Sequence, residues 1–454
     1  MKRSIFIFLT MAGYILLPAN VQSSVYYVAP TGNDAAAGTI AAPFASMARG
    51  QTAATAGDTV YFRGGTYLYS STSAADGVDL TKSGTSTGRI KYWAYPNETP
   101  CFDFTGMTAA ARIKGINITA SWIYLKGLEV RKVPQNLTTQ HESWGIYNNG
   151  GGHNVFELLN LHHNMGPGLF IVKGGSNLVL NCDSHHNFDP KSSSGPGTNA
   201  DGFGCHIGAA DTGNVFRGCR AWWNSDDGYD LIQAQEPVTI ENCWAWYSGY
   251  LPDSANAPSG GDGNGFKMGG YGLPPTHVPA NPPHHIFRFC VSFFNLVNGF
   301  DHNYHPVSDY IYNNTSFNNK GSDFNMKGYN PTTSTAINVG ILRNNLAFTG
   351  TILANGAGIN DSCNSWNLPV TVTAADFLTT SITGVDGPRN IDGSVPATGF
   401  LKLAPSSDCI DAGVNVGLPF AGSAPDLGAF EYASTAVFRI GPGKRRIGFI
   451  PPHR

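Results

Sequence analysis

Apolar positions along the chain recur in short bursts of two to four residues broken by Asn and Gly, and five of these bursts align without gaps. They are LVLNCDSHHN (178–187), VFRGCRAWWN (215–224), TIENCWAWYS (239–248), IFRFCVSFFN (286–295) and YIYNNTSFNN (310–319). One column holds Cys182, Cys219, Cys243, Cys290 and Asn314, and a column of small residues follows two positions on: Ser184, Ala221, Ala245, Ser292 and Ser316. Side chains alternate faces along a strand, so these two columns share one face. The branched or aromatic column three residues before Cys (Val179, Phe216, Ile240, Phe287, Ile311) has the opposite parity. It reaches the same interior only if the chain bends in between. Asn181, Gly218, Asn242 and Asn313 stand at that point and tolerate the left-handed conformation that a sharp bend requires. Phe289 breaks the rule, and its coil is expected to bend differently.

Two of the intervals between repeats are 24 residues, and a unit of that length with three short strands predicts a parallel β-helix, an all-β solenoid. The expected helix spans 24–432. It starts at YYVAPTGND with a short capping helix between Pro43 and Ala54, and GDTVYFRGGTY (57–67) gives its first clear strand. PDLGAFEY (425–432), after DCIDAG (408–413), reads as the last strand. Residues 1–23 read as a signal peptide, with Lys2 and Arg3 ahead of an apolar run from Ile5 to Leu17, so a secreted protein with no membrane span is expected. The tail 433–454, containing GPGKRR, lacks any core pattern and is expected to be disordered.

Composition narrows the partners. The formal charge of −3 hides an asymmetry: signal and tail hold seven of the 28 basic residues and none of the 31 acidic ones. The acidic body excludes nucleic acid, whose phosphates call for basic patches. An acidic polymer remains possible with a cation between it and the protein. Eight cysteines in an exported chain raise the prospect of disulfides, but four follow the repeat and read first as core.

A second column carries the candidate chemistry: Asp201-Gly-Phe, Asp227-Gly-Tyr, Asn264-Gly-Phe and Asn298-Gly-Phe. The residue after the aromatic varies through Gly204, Asp230, Lys267 and Asp301. Coils about 4.8 Å apart would place Asp201 beside Asp227 and Asp230 beside Lys267. Each Asp-Gly alone is an ordinary turn former. Stacked carboxylates repel one another unless a cation intervenes, and Ca²⁺ suits such oxygen-rich sites.

NADGF (199–203), NSDDGYD (224–230) and GDGNGFKMGG (261–270), in this order, resemble polysaccharide lyase family 9, the pectate and related pectic lyases. The resemblance runs from the YYV segment to the C-terminal strands. It implies a right-handed parallel β-helix with Ca²⁺ bound by Asp201, Asp226, Asp227 and Asp230, and Lys267 as the base that removes a proton. GYGLPP (270–275) and FDHNYHP (300–306) look closer to the branch that acts on rhamnogalacturonan I. The implied partner is an acidic pectic polysaccharide, attacked by a monomer. The C5 proton of a uronate is weakly acidic, and a cation on the neighbouring carboxylate eases its removal, after which the C4 oxygen leaves. Two other readings are weighed. A polygalacturonase-like hydrolase would carry Gly-His-Gly, which is absent, and a late Arg-Ile-Lys, which occurs only upstream at 89–91 and 112–114. A sugar-binding adhesin could use the aromatic columns (His185, Trp222, Trp246, Phe293, Phe317 and, beside it, His186, Trp223, Tyr247, Phe294), but it has no need of Lys267 among carboxylates. The first column reads as stacking and the second as solvent-facing. The repeated His162-His163 and His185-His186 read as turn fillers rather than metal ligands.

Overall fold

The computed structural model describes residues 23–432 apart from 138–141, 274, 331, 334 and 357. The basic tail and all but the last residue of the expected signal lie outside that set. Three long sheets, of 13, 10 and 10 strands, wrap one interior, and successive coils pair almost entirely in parallel. A representative coil runs through Tyr229–Asp230 in the second sheet, Val238–Glu241 in the first and Trp244–Trp246 in the third. The solenoid begins with Val25–Val28 pairing Thr59–Phe62, one rung before the first clear strand expected from sequence. A single helix, Met47–Ala53, closes this end; the Ser46 hydroxyl caps it by accepting from the Arg49 amide at 3.1 Å, and Met47 is fully buried.

The repeat columns fall where their parity places them. The cysteine, small-residue and branched columns are all buried, and every cysteine is a free thiol. Positive φ values of 52–66° at Asn181, Gly218, Asn242 and Asn313 make the bend. Phe289 corrects the expectation for its coil: its φ is 55°, so it bends like its neighbours. The stack imposes this conformation, because the Phe289 amide bonds the Tyr312 carbonyl of the next coil as Asn242 bonds that of Arg288. A second bend follows one strand on. Trp223, Tyr247 and Phe294 hold φ of 53–56° there, and their rings stack along the axis half-buried rather than standing free.

Asparagine ladders tie the turns. The Asn187 side chain accepts from Asn164 and donates to Asn224 at 2.8 Å, and Asn295 repeats the pattern with Asn319. Each ladder satisfies buried amides that no strand can reach.

The C-terminal expectation fails. Residues 425–432 form no strand; regular coils end with the strand Gly358–Ser362. The chain beyond instead lies over the outer face of the third sheet. Phe377, Phe400, Leu401, Leu403 and Leu427 cover Trp222, Trp244, Trp246, Phe293 and Phe317 in a second core. Burying that aromatic face against apolar side chains outweighs adding one more rung. The segment is fastened by charge: buried Arg220 and Arg389 both grip Asp183 at 2.6–2.7 Å, while Arg220 also donates to the carbonyls of Val385 and Gly387. The aromatic column proposed as a sugar platform is therefore covered.

Candidate active site

The second sheet positions the site. Its strands Phe203–Cys205, Tyr229–Asp230, Phe266–Lys267 and Phe300–Asp301 pair in register, so Gly204, Asp230, Lys267 and Asp301 form one outward column. The alternate residues Phe203, Tyr229, Phe266 and Phe300 stack inward at 4.8–5.2 Å and fix the height of each rung.

Asp201 and Asp227 belong to a ladder that continues through Asn264 and Asn298. The Asp227 amide donates to Asp201 Oδ1 at 3.1 Å, and the Asn264 amide and side chain both donate to Asp227 Oδ1. Asn298 treats Asn264 in the same way. In these two aspartates one oxygen does the structural work of asparagine, and the other brings a charge. Asp227 Oδ2 is buried and accepts no hydrogen bond. Asp226 Oδ1 is bonded by the Asp262 amide, and Asp230 Oδ1 by the Ile232 amide.

Lys267 is buried and its ammonium lies 3.2 Å from Asp227, 3.4 Å from Asp230 and 2.8 Å from Asp262. Burial works to lower its pKa, but Asp230, Asp227, Asp226 and Asp262 outweigh it and hold the amine well above the usual lysine range. Burial pushes Asp201 and Asp227 far up and Asp226 up to about 7, with neighbouring aspartates adding to the rise. Asp230 goes the other way; Lys267 and His206 overcome its burial and depress it. So many buried carboxylates around one ammonium leave negative charge unbalanced. The donor set is all oxygen, and buried Asp227 Oδ2 accepts no hydrogen bond although the Lys267 ammonium lies 3.2 Å away, which fits a hard divalent cation such as Ca²⁺.

The structure brings together all five residues singled out from sequence, keeps Asp301 of the same column beside them and adds two. Asp262 lies in a loop outside the repeat column, and no spacing pointed to it. His206, two residues past Gly204, stands 3.6 Å from Asp230 Oδ2. Asp301 follows Lys267 by one rung, and burial raises it to about 6. Arg217 pairs Glu241 on the first sheet and Arg220 is buried under the C-terminal segment, so neither lies at the pocket. From the segments 270–275 and 300–306, Tyr271, His302 and His305 meet in a buried turn next to the lysine strand. There His305 accepts from the Gly270 amide and bonds the Pro283 carbonyl, and Tyr271 stacks on its ring. The paired histidines stack as expected, His162 on His185 and His163 on His186.

A parallel β-helix with a buried lysine among carboxylates on its outer sheet is the arrangement of a polysaccharide lyase. The family described as Pel9A-like, right handed beta helix region, matches residues 26–345. Pectate lyase L of Dickeya chrysanthemi is 35% identical over 417 residues, covering 90% of each chain. The crystal structure of pectate lyase Pel9A superposes with a TM-score of 0.76 at 32% identity, covering 91% of this chain and 97% of that one. A rhamnogalacturonan lyase gives 0.77 at 34%, covering 84% and 97%. The chain belongs to the Pel9A-like right-handed β-helix family, and it is a polysaccharide lyase.

Proposed function

We propose that the protein is exported and cleaves a galacturonate-containing pectic backbone by β-elimination, with Lys267 as the base and Ca²⁺ held by Asp201, Asp226, Asp227 and Asp230. The observation that carries this reading is the single buried ammonium 2.8–3.4 Å from three carboxylates on the outer face of the second sheet. Relatives named for pectate and for rhamnogalacturonan support the substrate class.

Bound Ca²⁺ would supply positive charge that offsets the aspartates and the substrate carboxylate, acidifying the C5 proton. Lys267 must be neutral to accept that proton, and the surrounding carboxylates now hold it protonated. Offsetting their charge with the cation would let the ammonium release its proton to solvent, which frees its lone pair. The C5–H electron pair then becomes the C4–C5 double bond, the C4–O bond breaks, and the departing oxygen takes a proton from solvent. With the cation bound the aspartates would be ionised, and their ladder bonds keep them aimed at the pocket. Buried Phe266 and Phe300 beneath the lysine strand hold the amine at a fixed height.

Incubating the protein with polygalacturonate or rhamnogalacturonan I tests this. With Ca²⁺, an ultraviolet-absorbing unsaturated uronate should accumulate, and excess chelator should abolish it. Undiminished activity in chelator would remove the metal from the proposal, and saturated products would replace the lyase chemistry with hydrolysis.

A further inference from the structure

The outward column of the second sheet does not start at the acidic pocket. Traced backwards from Lys267 it runs through Asp230, Gly204, Phe170, Tyr147 and Asn117, one residue per coil. Most of these side chains are polar, as solvent-facing positions on a sheet should be. Phe170 and Tyr147 are the exceptions, stacked with ring planes 3° apart and centroids 6.2 Å apart. Trp144 packs against Tyr147 at 4.5 Å.

This patch is built rather than incidental. Phe170 lies over Gly204, where a Cβ would come within 2.3 Å of the ring, so only glycine at that rung lets the phenylalanine fold down. His206 then closes against Phe170 with centroids 4.6 Å apart, and the same imidazole faces Asp230. The patch is thus continuous with the pocket. Phe170 and Trp144 are buried as backing, whereas Tyr147 is half-buried and its hydroxyl has no hydrogen-bond partner among the described residues. Two cations stand at its rim: Arg112 lies 4.2 Å over Trp144, and Lys114 5.6 Å over Tyr147. Both pair with carboxylates, Glu142 and Asp76, at 2.8 and 2.9 Å.

We infer that Tyr147, backed by Phe170 and Trp144, is a remote subsite that receives sugar rings of the substrate chain several units from the bond that breaks. Tyr147 stands four rungs from Lys267, ~19 Å at ~4.8 Å per rung, too far to touch the reacting sugar. A polysaccharide lying along the solenoid axis passes over both. The C–H face of a pyranose packs on an aromatic ring, and the free phenol can bond a sugar hydroxyl. The rim cations suit an acidic chain. Tyr147 is therefore a specificity residue for chain length and takes no part in the chemistry. This inference rests on the pectic-lyase reading above.

The test compares Tyr147→Ala and Tyr147→Phe with the unaltered protein on polymer and on a trisaccharide of the same backbone, following unsaturated product. The ratio of kcat/KM on polymer to that on trisaccharide should fall roughly three- to tenfold in Tyr147→Ala, through KM, and Tyr147→Phe should recover most of it. An unchanged ratio would overturn the subsite, as would an equal loss on both substrates, which marks a structural role. No unsaturated product from the unaltered protein on any pectic polymer would instead remove the pectic-lyase reading on which the subsite depends.

Discussion

Asp227 has two jobs at one position. Its Oδ1 accepts from Asn264 as a ladder asparagine would, and its Oδ2 adds charge to the pocket. Asp227→Asn should preserve the ladder and the fold while weakening Ca²⁺ binding at least tenfold by calorimetry. Loss of the fold with calcium affinity intact would reverse that division of labour. The same duality explains what could be read from the chain. Asp201, Asp227 and Lys267 sit on repeat columns, so their spacing already brings them together. Asp262 and His206 could not be found that way. The first comes from an irregular loop, and the second depends on which way an imidazole turns after Gly204.

Turns set the phase of every coil, and their buried polar groups are where the elements are most sensitive. Replacing Asn187 with Ala would strand the Asn164 backbone amide and one N–H of its side chain. A loss of about 2–4 kcal/mol in urea unfolding is expected, since each buried unpaired group costs about 1–3 kcal/mol. The turn next to the lysine strand predicts a pH effect. Burial holds His305 down to about 4, and it also holds His285 and His302 well below the ordinary value of 6.5. The unfolded chain takes up protons below pH 6.5 that the folded chain refuses, so stability falls as pH drops from 6.5 towards 4. His305 alone contributes on the order of 3 kcal/mol to that loss by pH 4, and His285 and His302 add to it in the same direction. Thermal melts across the range should show the slope, and His305→Asn should make it shallower. The bends at Asn and Gly were legible because those residues favour left-handed backbone. Phe289 and the Trp223–Tyr247–Phe294 bend were not, because there the inter-coil hydrogen bonds override residue preference.

At the scale of the molecule, the solenoid is only part of the structure, and its third sheet would expose a broad aromatic face without the chain after Ser362. Asp183 is the fastening, bound by two buried arginines at 2.6–2.7 Å. Asp183→Ala leaves both charges unpaired and should cost about 3–5 kcal/mol, with protease cleavage appearing first within 363–432. Uniform cleavage over the whole chain would contradict a separately fastened segment. The repeat made the solenoid legible, and sequence could not reveal this cover because its contacts follow no period. PDLGAFEY has the alternation of a strand, yet Leu427 and Ala429 point into the aromatic face and its amides bond Cys409, Asn344 and Thr315 instead.

The account stands on one amine in one acidic pocket. Its most direct test is the initial rate of unsaturated-product formation by Lys267→Ala on a pectic polymer in saturating Ca²⁺, with calcium binding measured on the same sample. Removal of a general base predicts a fall of about 10²–10⁴ in kcat with calcium still bound. A rate within a few fold of the unaltered protein would show that another group takes the proton.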